Sequence, residues 1–143
     1  MNEFIGCWQL VLSALRLSDG GNLIPPDPDE RGTLIYTADG HMSAHMMRSG
    51  RTHFASPNLW QATPEECQAA FSTYLAYFGR YEISLPEKMV IHHVDGSLFP
   101  NWVGTKQRRS YQFDGDVLTL TAPTAMAGGR EFTPIMQWKR SAS

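Results

Sequence analysis

The side chains here that can move a proton or hold a developing charge fall on a few short β-like runs. His92 and His93 are adjacent, Gln107 and Arg109 stand two apart, and Tyr81 lies in the run before the histidines. An imidazole transfers protons near neutral pH, while a guanidinium and an amide can stabilise an oxyanion or enolate. His92, Arg109 and Tyr81 therefore form a candidate catalytic set for cofactor-free acid–base work on a carbonyl compound. Isomerisation, cyclisation, dehydration or a related lyase reaction would fit. The same groups could instead orient a small apolar or aromatic ligand without reaction, as in a binding or carrier protein.

Other chemistries find less support. His41 and His45 are four apart, which is metal-ligand spacing on a helix but about 13 Å on a strand. Cys7 and Cys67 are far apart in sequence and make no disulfide framework. The sequence has no Gly-x-Gly-x-x-Gly, P-loop or Gly-x-Ser-x-Gly motif. The expectation is no metal and no cofactor. A net charge of -2 and a pI near 6.2 disfavour a nucleic-acid partner. No apolar run approaches the roughly 20 residues of a membrane span, and no charged-then-apolar leader opens the chain. The reading is a soluble cytoplasmic protein without a membrane partner, with a homodimer left open.

The elements that must position these groups are mostly strands. Hydrophobic residues make up 42% and charged residues 18%, which excludes a disordered chain. The length of 143 residues suits one domain, 1–143, with a real core. Strand-like runs occupy 4–17, 31–37, 41–48, 80–84, 88–98, 105–113, 117–121 and 130–140. Ala38-Asp39-Gly40 and Asp114-Gly115-Asp116 are hairpin turns, because Asp-Gly accepts positive φ. Ile24-Pro25-Pro26-Asp27-Pro28 is a loop, since its prolines remove donors and fix φ. One segment has a helical period. Thr63-Pro64-Glu65-Glu66 is a capping box, followed by a stripe of Cys67, Ala70, Phe71, Tyr74, Leu75 and Phe78. Gly79 then reads as the helix stop. The spacing predicts a helix over 64–78 that buries Phe71, Tyr74, Leu75 and Phe78. Eight strands joined by short turns predict an antiparallel meander closed into a barrel around a cavity.

Strand parity proposes which side chains enter that cavity. Val90, His92 and Val94 share the more apolar face of their run, so His92 points inward and His93 outward. Gln107, Arg109, Tyr111 and Phe113 share another face. An inward arginine needs a partner or an anionic ligand. One of Arg109 and Arg140 could instead pack on Trp8 as a cation–π lid at one barrel end. Tyr36 and Tyr81 are either pocket phenols or packing residues. Met42 and Met46 lie on one apolar face and suit an adaptable wall. The expected ligand-binding set is Trp8, Tyr36, Met42, Met46, Gln107, Tyr111 and His93, the last as the alternative to His92.

Several segments together resemble a known family. Gly6-Cys7-Trp8 is similar to the Gly-x-Trp element of lipocalins and fatty-acid-binding proteins. More specific are 31–43 (RGTLIYTADGHMS), 74–82 (YLAYFGRYE), His92-His93-Val94, and 97–105 (SLFPNWVGT) with Gln107 and Arg109 after it. With 115–120 (GDVLTL), these resemble the stand-alone lipocalin-like domain family of bacteria and fungi, over nearly the whole chain. The resemblance implies a small calycin-type β-barrel with a central pocket, in proteins encoded near specialised-metabolite genes. It implies no single reaction and no established catalytic set.

Overall fold

A computed structural model describes residues 2–142. Nine strands form one antiparallel sheet: β1 (Gly6–Leu17), β2 (Arg31–Tyr36), β3 (His41–Met47), β4 (Tyr74–Ser84), β5 (Met89–Ser97), β6 (Lys106–Asp114), β7 (Val117–Thr121), β8 (Ala125–Ala127) and β9 (Arg130–Arg140). Sequential neighbours pair up to β7, β7 pairs with β9, and β9 pairs back onto β1. The result is a closed eight-stranded lipocalin-like barrel, with β8 as a short extra strand on β9. Closure leaves no long open edge for another strand to join.

The two barrel ends differ. At one end β2–β3, β4–β5 and β6–β7 are joined by tight turns, with Gly40 and Gly115 at positive φ of 93° and 60°. At the other end the connections are long: 18–30, 48–73, 98–105 and 122–129. Between them, alternate residues point inward and make the core, including Trp8, Leu34, Val90, Leu118 and Trp138.

Two local expectations are corrected. The helix, α1 (Pro64–Ser72), keeps its capping box but ends well before Gly79, and none of its residues is buried. Phe71 is 48% and Phe78 57% exposed. Tyr74 onward is strand, and the apparent stripe combined a helix face with an unrelated strand. Gly79 is not a helix stop. It sits where the β4–β5 register shifts, and a Cβ there would collide with the His93 carbonyl. In β1, the register shifts between Leu10 and Leu12, which interrupts the simple alternation beginning at Trp8. Ser13 and Leu15 reach the cavity as a result.

Candidate functional site

The barrel interior holds a cavity of about 380 Å³, partly open at the end that carries the long connections. This lies within the roughly 300–1,000 Å³ typical of small-molecule sites. Its walls are mainly apolar: Leu34, Met46, Leu75, Leu120 and Met136 line it from separate strands. Its polar side chains include His92, Gln107, Arg109 and Tyr77, and Trp102 contributes an aromatic face. Among the described residues, no Asp or Glu lines it.

His92 sits on β5, opposite Tyr81 of β4 and Gln107 of β6 in the ladder. It is 1% exposed. Its Nε2 lies 2.6 Å from the Tyr36 hydroxyl, and its Nδ1 lies 2.8 Å from the Tyr77 hydroxyl. Both ring nitrogens are therefore engaged by phenols. Burial, reinforced by Arg109 and His93, pushes the His92 pKa down to about 3, so the imidazole is neutral. Burial also raises both phenols, with Arg109 opposing the rise. The three side chains form a neutral, buried hydrogen-bonded chain.

Arg109, on β6, is 6% exposed. Its guanidinium donates to the Arg108 carbonyl at 2.9 Å and lies 6.0 Å from the Trp102 ring. Among the described residues it has no carboxylate partner. Gln107 donates to the Thr105 hydroxyl at 2.9 Å. The Trp138 indole N–H is buried, with no hydrogen-bond partner among the described residues. The polar inventory of the wall is thus rich in donors.

His92, Arg109, Gln107 and Met46 meet in this cavity. Trp8, Tyr36 and Met42 are buried in the core outside its lining, although Tyr36 reaches His92. Tyr81 donates to the Thr37 carbonyl and accepts from Asn2. Tyr111 packs edge-on against Phe4, 4.9 Å away, beneath the cavity. His93 faces away, 3.4 Å from Glu82. His41 lies beside Asp39, and His45 bonds Tyr74. Among the described residues, no three His, Cys, Asp or Glu side chains cluster as a metal site. Arg140, not Arg109, covers Trp8, at 4.2 Å from its ring. Sequence reasoning missed Tyr77 and Trp102. The unbroken inward alternation of Leu75, Tyr77, Tyr81 and Ile83 is the signal that could have found Tyr77, had residues 74–78 not been read as the end of the helix.

Two comparisons bear on this arrangement. The sequence signature of the lipocalin-like domain matches residues 5–141. The chain is also 34% identical over 106 residues to the 4'-hydroxy-3'-methoxypropiophenone carrier protein ppsC of Aspergillus oryzae. That match covers 69% of this chain and 96% of the relative.

Proposed function

The chain belongs to the lipocalin-like domain family, and from that premise we propose that its cavity carries a small aromatic carbonyl compound of specialised metabolism unchanged. The observation that supports this reading most is the donor-rich, carboxylate-free polar cluster inside an apolar cavity. Aromatic walls take the ring, and Arg109 with its neighbours takes an oxygen acceptor. An aryl ketone of the size named for the relative suits such a site. His92 already spends both nitrogens on phenols, which favours holding a ligand over removing its protons.

The test is binding of 4'-hydroxy-3'-methoxypropiophenone, followed by isothermal titration, with the recovered compound analysed by mass spectrometry. Saturable 1:1 binding and unchanged ketone are expected. Absence of binding, or conversion of the ketone, would overturn the carrier reading.

A second reading rests on the buried phenol–imidazole–phenol chain. With a cavity water taking the proton from the carbon beside the carbonyl, the chain and Arg109 would hold the enolate oxygen that forms, and the water would return a proton to carbon, as an isomerase, cyclase or lyase requires. In D₂O, this reading expects accelerated deuterium uptake at the carbon next to the ketone. The carrier reading expects the uncatalysed rate.

A further inference from the structure

The hydrogen-bonded chain under the cavity has a direction. A neutral imidazole has one N–H donor and one bare acceptor nitrogen. One phenol must therefore donate to His92 while the other accepts from it. Two arrangements satisfy the distances of 2.6 and 2.8 Å. They differ in which phenol keeps a spare O–H.

If Nε2 carried the proton, it would donate to Tyr36, and the Tyr36 O–H would need another acceptor. Tyr36 is 1% exposed and lies outside the cavity lining. Among the described residues, its hydroxyl has only His92 as a hydrogen-bond partner. That arrangement would strand a buried donor, whose lost hydration nothing in the fold replaces. If Nδ1 carries the proton, Tyr36 donates to Nε2 and Nδ1–H donates to Tyr77. The spare O–H then belongs to Tyr77, which lines the cavity. There it can reach water or a ligand.

We infer that Tyr77 is the cavity's directed hydrogen-bond donor, aimed at the carbonyl oxygen of the bound ketone, with Tyr36 and His92 as positioning residues that fix its direction. This rests on the proposed ligand reading for the identity of the acceptor. The direction of the chain does not depend on it. The arrangement selects for an acceptor at that point, because a ligand lacking one would leave the Tyr77 O–H unpaired once water is displaced.

The test has two arms. Long-range ¹⁵N–¹H correlation on ligand-free protein reads the His92 tautomer directly. Protonated Nδ1 is expected, and protonated Nε2 would overturn the inference. The second arm compares the ketone probe with its methylene counterpart, 2-methoxy-4-propylphenol, in which CH₂ replaces the C=O. Wild type should bind the ketone about 10-fold or more tightly than the methylene compound. Tyr77→Phe should remove that preference and leave affinity for the methylene compound nearly unchanged. The ketone should also shift the His92 ring signals, while the methylene compound leaves them in place, a response that a packing role would not give. Equal binding of both compounds by wild type would overturn the donor assignment and spare the ligand-site reading. Failure of both to bind would overturn that reading and the acceptor named here together.

Discussion

Two arginine–tryptophan pairs stand at opposite ends of the barrel, and they are used differently. At the tight-turn end, Arg140 lies 4.2 Å from the Trp8 ring and donates to the Glu3 and Ile5 carbonyls. Trp8 in turn donates to the Phe4 carbonyl at 2.8 Å. Phe4 packs edge-on against Tyr36, Tyr111 and Phe113. Here, polar groups are tied to backbone and aromatic edges meet aromatic faces. Toward the mouth, Arg109 stands 6.0 Å from Trp102, with one bond to a backbone carbonyl. The residue types are the same. What separates a structural pair from a binding pair is how many guanidinium donors the fold itself consumes.

The largest effect that sharpens this contrast belongs to the floor. Trp8→Ala should cost about 3–5 kcal/mol in denaturant unfolding, through an unfilled cavity and an uncovered Arg140. An effect below about 1 kcal/mol would mean that the floor is not a packed seal.

Next comes acid. His92 is neutral in the fold at a pKa of about 3, against an ordinary value of 6.5. Between those values the unfolded chain binds the extra proton, so stability falls as pH drops. The steepest slope is about 1.4 kcal/mol per pH unit, and the loss between pH 6.5 and 4.5 is about 2 kcal/mol. Unfolding curves at both pH values measure it. His92→Gln should lack this share of the slope, and an unchanged slope would show that His92 is not buried in neutral form.

The two arginines give the direct comparison. Arg140→Met should destabilise by about 2 kcal/mol, through lost charged hydrogen bonds and the ring contact. Arg109→Met should stay within about 1 kcal/mol of wild type or gain stability, since it removes a buried charge without an ionic partner. It should nonetheless weaken ketone binding about 10-fold or more. Equal destabilisation by both substitutions would erase the distinction drawn between the ends.

The smallest effect lies outside the barrel. Phe71→Ala should change stability by less than about 1 kcal/mol, because the ring is half exposed on α1.

Part of this arrangement is legible in the residue order alone. The Asp-Gly turns and the alternating runs were enough for the barrel, since each is a local signal with a local cause. The parity of β5 and β6 also places His92, Gln107 and Arg109 on inward faces. Irregularities defeated the rest. In β1 the register shift between Leu10 and Leu12 lets Ser13 and Leu15 reach the wall, and no residue type announces it. At the start of β4, a chance helical spacing continued the α1 stripe through Phe78, and Tyr77 was lost with it. Tyr36 was legible as inward but not as the far end of a chain through His92. That contact crosses the barrel between residues 56 positions apart.

The segment before β1 has one more consequence. Residues 2–5 are bound into the floor through Asn2 on Tyr81, the buried Phe4 ring and the carbonyls held by Arg140. They make the interior a cup rather than a tube. Whatever enters must push water back out past itself through the opening it came in by. On the carrier reading, uptake and release would share the mouth that the long connections rim. Cutting the stopper loose would give water a second exit and separate filling from emptying.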